Sequence, residues 1–535
     1  MTRLSLAIAA AALLGAGTTA PLQAARPSLA HSAPTSARAH QPEIFYQIFM
    51  RSFRDSNGDR VGDLRGLTSK LDYLKSLHVT AILLTPLQAS PFYHNYFATD
   101  FKRVDPSFGS MDDYFAFIRA AHARGLKVYL DEEVQYVAEG HPWLTEARGH
   151  PELPFSQYVL WNKPGSEDPE PFLNQHCWLS YTGRCVEIAM VDLRNPQVVD
   201  YFRKLFLFWT DPNGDGSLRD GVDGFRIDHM MDDLDNKHRL TNLFADFWRP
   251  IFAAVKQRNP NLRILAEQSD WGWGEDWLTR GGADAVFAFP LRGALNTLDK
   301  AALVKTIEET DARTPAGKDQ IVFLENHDVD RYASTVKNPR RERIGAAFNI
   351  LLKGEPLIYY GQELGMRGKV TTPATSDAAH IPLREAFRWN SDLNAKGSAT
   401  WYRSDKPWWT DRYNRSSDGV SVEEEARDPS SLLAWYKALT LLRTRRPELQ
   451  TGSQHILCEA SSGLVCILRE KGASRTLVIA NLGTKAESPV LPGAVTSADW
   501  TDLMSRKPVS PARMTIRPND IRILGTTLQS STSRR

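Results

Sequence analysis

Three acidic residues each close a short apolar run. They are Asp228 in Gly221-Val-Asp-Gly-Phe-Arg-Ile-Asp228, Glu267 in Leu262-Arg-Ile-Leu-Ala-Glu267 and Asp328 in Ile321-Val-Phe-Leu-Glu-Asn-His-Asp328. Buried parallel strands read as such runs, and in a barrel their last side chains emerge at the reactive face. Two carboxylates about 5–5.5 Å apart across a sugar ring cleave a glycosidic bond with retention, one as nucleophile and one as general acid/base. A third can bind and distort the sugar. Arg226 lies two residues before Asp228, and the two-residue period of a strand puts both on one side, where the guanidinium keeps the nucleophile ionised. Glu267, raised by neighbouring carboxylates and low solvent, would start protonated. Asp328 with His327 would grip the hydroxyls of a distorted sugar more strongly in the transition state. One acidic residue after a strand is more often a turn former or a solvated cap; three in this setting point to chemistry.

The elements that must position these groups are strand-like runs at 44–51, 80–85, 127–132, 222–227, 262–267, 285–289, 321–325 and 356–360. Amphipathic helical stretches such as 65–77, 112–124 and 340–352 alternate with them. Eight strand–helix units predict an α/β protein, a closed (β/α)8 TIM barrel over 43–446. Two connections are too long for plain loops. Residues 137–192, after the third strand, carry His141-Pro-Trp143 and two cysteines, and residues 362–430 carry Trp389, Trp401, Trp408 and Trp409. From about 447 to 530, short β runs at 454–469, 475–482 and 514–524 with glycine turns predict a C-terminal antiparallel β-sandwich domain.

A chain of 535 residues suits a decorated barrel plus one further domain. Its net charge of +2 gives no reason to expect nucleic acid. Fourteen Trp and sixteen Tyr supply flat faces that suit sugar rings as well as packing. A charged start, an apolar run at 4–14 and small residues near Ala20 and Ala24 read as a secretory signal over 1–24, followed by a disordered leader over 25–42. The apolar run falls short of the ~20 residues a membrane span needs, so no membrane anchor is expected after signal removal, and the chain should be secreted or periplasmic. Export permits disulfides. Of three possible connectivities, the short matching spacings favour Cys177 with Cys185 and Cys458 with Cys466; buried free thiols are the alternative.

Asp55-Ser-Asn57-Gly-Asp59-Arg-Val61-Gly-Asp63 places oxygen ligands two residues apart around a turn glycine, as a calcium loop requires. Asp211-Pro-Asn213-Gly-Asp215 repeats the spacing with a less evident closing carboxylate. The alternative is acidic turns that hold no metal.

With these motifs in order, the chain resembles the α-amylase family, glycoside hydrolase family 13, from about Ile44 to its C-terminus. Residues 225–228 resemble the nucleophile segment, Glu267 the acid/base and Asn326-His327-Asp328 the segment of the transition-state-stabilising Asp. Tyr96 in His94-Asn-Tyr-Phe-Ala-Thr-Asp100 resembles the Tyr that stacks on the sugar, and residues 354–363 resemble the eighth-strand segment. The resemblance implies substrate contacts at Tyr96, Arg226, His327, Tyr136 and Arg331. It also implies that 137–192 is the small inserted domain B, that calcium is bound, and that the substrate is an α-glucan or maltooligosaccharide.

The chain departs from the family where Asp131-Glu-Glu-Val-Gln135-Tyr136 replaces the common ending Val-Asn-His. It departs again where His229-Met-Met-Asp232 lacks the usual Lys-His. If Gln135 has lost the usual domain-B calcium, the bridge between Cys177 and Cys185 is the covalent candidate for holding that excursion. Met190-Val-Asp-Leu193 and the stretch from Thr400 to Leu433 most resemble exported α-amylases intermediate between the oligo-1,6-glucosidase and neopullulanase branches. An α-glucosidase or glucosyltransferase acting on small α-glucosides is the alternative. A non-catalytic binding subunit is a remote one, because such proteins typically lack one of the three acids.

Overall fold

Eight short strands close into one parallel barrel in chain order: β1 Phe45–Ile48, β2 Ala81–Leu84, β3 Lys127–Glu132, β4 Gly224–Met230, β5 Arg263–Gln268, β6 Ala285–Phe287, β7 Asp319–Val322 and β8 Glu355–Tyr359. The register runs Phe45 to Ala81, Leu83 to Tyr129 and Tyr129 to Gly224, and β8 returns to β1 with Leu357 opposite Phe45. The computed structural model describes residues 40–372, 374, 376–403, 413–459 and 462–526. From Gln41 onward the described residues form one compact unit. The signal, nearly all of the leader, Trp408 and Trp409 lie outside the described residues.

The strands are mostly apolar because both faces are covered, and the polar residues among them lie chiefly at their ends. Phe45, Leu83, Tyr129, Leu265, Phe287, Ile321 and Leu357 pack together as one cluster. Their neighbours Tyr46, Ile82, Val128, Ile264, Val286, Val322 and Ile358 join a second cluster shared with the helices. Truncating a buried Leu such as Leu83 to Ala therefore removes contacts worth about 2–5 kcal/mol.

The helices carry their own start signals. Ser110 caps Met111–Ala123 in a reciprocal capping box with Asp113. Asn338 caps Pro339–Leu351, with Pro339 in the first turn. The helix expected at 65–77 is instead two, Leu64–Thr68 and Leu71–Ser76. Between them the Ser69 hydroxyl donates to the carbonyl of Gly66 at 2.6 Å, a local bond that competes with continuation.

Within the excursion after β3, Tyr136–Ala138 pairs antiparallel with Ile188–Met190 at its base. A hairpin of Trp178–Leu179 and Cys185–Val186 lies farther out, and the Cys177–Cys185 bridge closes it. The second pair, Cys458–Cys466, is also joined.

C-terminal to the barrel, a six-stranded antiparallel sheet runs in spatial order β9-β10-β11-β14-β12-β13. Its strands are β9 Ser453–Ile456, β10 Leu464–Lys471, β11 Ser474–Asn481, β12 Trp500–Asp502, β13 Pro508–Val509 and β14 Ile521–Thr526. Val465, Ile467, Val478 and Ile523 on one face join the main core. Leu464, Cys466, Leu477, Ile479 and Leu524 on the other form a small core with Val495, Trp500 and Ile516. Arg443 donates to the carbonyls of Ile350 (2.9 Å) and Leu352 (2.6 Å), and Arg469 to that of Leu351 (2.8 Å). These cations complete the C-terminal end of the helix that precedes β8.

Candidate active site

Arg226, on β4 and 1% exposed, is the hub of the site. Its Nη1 donates to Asp228 Oδ1 at 2.6 Å and to Asp131 Oδ1 at 2.7 Å, and Nη2 meets Glu267 Oε2 at 2.7 Å. Asp228 on β4 and Glu267 on the neighbouring β5 thus lie within the span of one guanidinium. Asp131, on β3, also accepts from the Tyr96 hydroxyl at 2.8 Å.

Past Asp228, β4 slips register between Ile227 and Met230, and His229 turns left-handed at φ 46°. That turn aims the His229 N–H at Glu267 Oε2, 3.1 Å away. Burial pushes Glu267 up to about 8, and the carboxylates of Asp228 and Asp328 add to this against Arg226 and the His229 amide. Burial thus favours the protonated form of Glu267. Since Oε2 accepts two N–H donors, Oε1 is left to carry the proton. Burial likewise raises Asp131 to about 7 against the pull of Arg226.

Asp328 lies six residues beyond the end of β7. His327 Nε2 lies 3.0 Å from its Oδ2, and Arg384 Nη2 donates to its Oδ1 at 2.9 Å. Burial opposes ionisation of Asp328, but His327 and Arg384 together hold it well below the usual carboxylate range. His327 is itself pushed down to about 3 by burial, so at pH 7 it is neutral and Arg384 is the cation of this pair. The Gln47 amide faces His327 Nδ1 at 3.2 Å as a donor, which leaves the ring proton on Nε2, between the Tyr96 hydroxyl at 2.8 Å and Asp328 Oδ2. The Tyr96 ring lies nearly parallel to His327, at 12°.

Two expected substrate contacts are elsewhere. Arg331 is fully buried: Nη1 donates to Glu325 at 2.9 Å and to the Tyr360 carbonyl at 2.6 Å, and Nε to the Leu383 carbonyl at 3.0 Å. It braces the loop beneath the site, and Arg384 takes the place beside Asp328. Tyr136 packs edge-on against Phe172 (4.7 Å) and Phe97 (5.9 Å), and so holds the base of the domain-B excursion instead of lining the site. Gln135, fully buried, donates from its amide to the His229 carbonyl at 3.0 Å. Asp192 is paired with Arg194 at 3.1 Å.

Asp131 and Arg384 were missed as site residues. Asp131 could have been found from its place in the third-strand motif. Arg384 sits in an irregular stretch that offers no spacing to read. From Arg384 a chain of contacts runs outward: Nη1 donates to the Tyr93 hydroxyl at 2.9 Å, and Tyr93 stacks on Trp401 at 4.7 Å. Tyr181, at the tip of the disulfide hairpin, meets both rings edge-on at 5.4 and 5.7 Å. These aromatic rings cluster on the Asp328 side of the site.

The loop 55–63 gathers its oxygens. Asp55 accepts from the N–H groups of Asn57, Gly58 and Arg60, the Asn57 amide donates to Asp59 at 3.1 Å, and Asp63 caps the following helix. Its alternating carboxylate, amide and carbonyl oxygens are a hard donor set that fits calcium. In the second loop, the Asn213 amide donates to Asp215 (3.2 Å) and to Asp220 (2.8 Å), so Asp220 supplies the closing carboxylate. Asp211 Oδ1 is buried without a hydrogen-bond partner among the described residues, while its Oδ2 accepts from Arg258. An unpartnered anionic oxygen there also fits a cation.

The family model for the α-amylase catalytic domain matches residues 47–452. Alpha-amylase 3 of Dictyoglomus thermophilum is 30% identical over 459 residues, covering 82% of this chain and 84% of that one. The 4-alpha-glucanotransferase of Thermotoga maritima is 30% identical over 444 residues, 79% of this chain and 92% of that one. The crystal structure of the alpha-amylase from H. orenii superposes with a TM-score of 0.74 at 25% identity, over 91% of this chain and all of that one. Sequence, fold and site geometry agree: the chain belongs to the α-amylase family, glycoside hydrolase family 13.

Proposed function

We propose that this chain is an exported, retaining α-amylase that cleaves α-1,4-glucosidic bonds in starch and maltooligosaccharides. The observation that carries this is the single guanidinium of Arg226 shared by Asp228 and a Glu267 raised to about 8. Asp228 attacks the anomeric carbon as the proton on Glu267 Oε1 passes to the departing oxygen. The covalent glycosyl-enzyme forms, and Glu267, now a carboxylate, takes a proton from the water that releases the sugar with its configuration retained. Asp328, held ionised by Arg384, accepts from sugar hydroxyls as the ring flattens, and Tyr96 offers its ring face to the same sugar.

Calcium would be held by side-chain oxygens of Asp55, Asn57, Asp59 and Asp63 with the Val61 carbonyl, and a second ion by Asp211, Asn213, Asp215 and Asp220. Bound there, it supplies charge neutralisation to the loops, and no catalytic step passes through it. The two disulfides and the N-terminal apolar run support export.

Preference for small α-glucosides, by hydrolysis or transfer, is the second reading. The cluster of Tyr93, Tyr181 and Trp401 favours it, because rings gathered there leave less room for a long chain on the Asp328 side. Reducing-sugar release and product size from soluble starch, maltose and a cyclodextrin, measured side by side, test both. Mixed oligosaccharides from starch support the amylase; glucose from maltose with inert starch supports the second reading; no release from any overturns both.

A further inference from the structure

An open cavity of about 540 Å³ is lined from two stretches of chain, 54–73 around the first two helices and 389–427 in the connection after β8. None of its lining residues is among those placed in the active site, and its volume falls in the range of small-molecule sites. Its charge is lopsided. Arg54, Lys70 and Arg427 line it against one carboxylate, Glu423, which already accepts from the Ser391 N–H at 3.0 Å. Among the described residues, none of the three cations forms an ion pair or a side-chain hydrogen bond. By contrast, Arg51 and Arg65 from the same stretch pair with Asp105 (3.6 Å) and Asp113 (2.6 Å).

Two of the three cations are half-buried and held at fixed points. Lys70 Nζ lies 4.3 Å from the centre of the Trp389 ring, and the Trp389 indole N–H donates to the Phe53 carbonyl at 2.6 Å. The Arg54 guanidinium lies against Gly397, where a Cβ would come within 2.2 Å of its central carbon. The Gly397 carbonyl in turn accepts from the Asp55 N–H at 3.2 Å. Burial and the charge of Arg54 both lower Lys70, so an anion set between the two would relieve a repulsion that the chain leaves unbalanced. The wall beside them is aromatic: Tyr73 meets Trp389 edge-on at 5.1 Å, and its hydroxyl is turned away to Glu363 at 2.7 Å.

We infer that this cavity binds a phosphate group, free or carried on a sugar, as an effector site separate from catalysis. A phosphate dianion matches several cations where a lone carboxylate would leave charge over. The Arg54 fork suits two of its oxygens, and Lys70 and Arg427 supply further charge. The aromatic wall and the remaining volume leave room for a sugar ring beside it. Arg54 precedes the 55–63 loop, and Lys70 follows the helix that Asp63 caps. One ligand would therefore join the two flanks of that loop, and its binding should raise Tm.

Calorimetric titration with glucose 6-phosphate, inorganic phosphate and glucose tests the site, on wild type, Lys70→Met and Arg427→Ala. Arg427 is exposed, so its removal leaves the fold alone. Glucose 6-phosphate should bind and raise Tm, and glucose should do neither. Each variant should lose roughly ten- to a hundredfold in affinity, the worth of a charge-assisted bond, while kcat stays at the wild-type value. Tighter binding of glucose 6-phosphate than of inorganic phosphate assigns the phosphate to a sugar; equal or tighter binding of inorganic phosphate assigns it to the free anion. Binding of neither, or affinity that both variants keep in full, overturns the site. Glucose that binds as tightly as its phosphate overturns it as well, as does a kcat that falls in step with affinity in Arg427→Ala.

Discussion

The side-chain amide of Gln135 donates to the backbone carbonyl of His229, the residue whose own N–H reaches Glu267, the proposed acid/base. The base of the domain-B excursion is thereby tied to the turn that follows the nucleophile. Where the family commonly has a calcium-binding Asn, this chain has a longer arm that spans to β4. Shortening it by Gln135→Asn should break the bond and free the His229 turn. Because that N–H stabilises the Glu267 carboxylate, its loss raises Glu267 further, and the alkaline limb of the pH–rate profile should move to higher pH while kcat falls. An unchanged profile in Gln135→Asn would dissociate domain B from the acid.

The acid itself sets a sign. Catalysis needs Glu267 protonated, so activity should fall as pH rises through about 8. In Glu267→Gln that limb should vanish along with about 10²–10⁴-fold of the rate on starch, while a glycosyl fluoride, which needs little acid help, should still react. Asp228→Asn should leave the fold intact and stop turnover on both substrates. Starch-level activity in either variant would refute the role assignments.

Arg384 should be needed for the rate although it touches neither Asp228 nor Glu267. Arg384→Met removes the cation that keeps Asp328 ionised, so the acidic limb of the profile should move upward. A charge-assisted bond of about 1.5–3 kcal/mol corresponds to a loss of roughly ten- to a hundredfold in kcat/KM. The same change at Arg331 should instead lower Tm, since Arg331 braces Glu325 and two carbonyls away from the substrate. Steady-state kinetics and thermal melts on both variants separate the two arginines.

Tyr181 reaches Tyr93 and Trp401 from a hairpin closed by Cys177 and Cys185. Tyr181→Ala should open that end of the site and shift starch products toward longer oligosaccharides. Reduction of the bridge, or Cys177→Ser with Cys185→Ser, should do the same and cost on the order of 2–3 kcal/mol of stability for so short a loop. Product sizing by chromatography with a paired thermal melt reads both effects.

Chelation should lower Tm, because a metal bound only by the folded chain contributes about 2.7 kcal/mol at a hundred times its Kd. Asp59→Ala should begin lower and respond less to added calcium. A Tm indifferent to chelator and to Asp59 would remove calcium from the first loop.

Much of the barrel was legible because a strand buried on both faces carries a short run of apolar residues, and that is a pattern one can read. Its edges were less so. The run 285–289 continues apolar past β6, yet Phe289 already opens a helix, and 321–325 runs past β7 because Glu325 is turned to meet Arg331. Asp228, Glu267 and Arg226 stood on strands, where period and position say which way a side chain faces, whereas Asp328 lies six residues past β7 and was found from its motif. Arg331 follows Asp328 by three residues, but a loop carries no such rule, and its side chain turned beneath the site. Arg384 comes from 56 positions away along the chain through an irregular stretch, and only folding sets it beside Asp328. Gln135 was recognised as a departure, but its new partner is a backbone carbonyl, which no side-chain pattern announces.

Arg443 and Arg469 bind the last carbonyls of the helix before β8, and β8 is the strand that seals the barrel against β1. A nascent chain therefore holds its first strand with an open flank until β8, residues 355–359 of 535, has been made. A product stopped near residue 446 would lack Arg469 and leave β8 poorly seated, so it should be a substrate for proteolysis rather than a minimal enzyme.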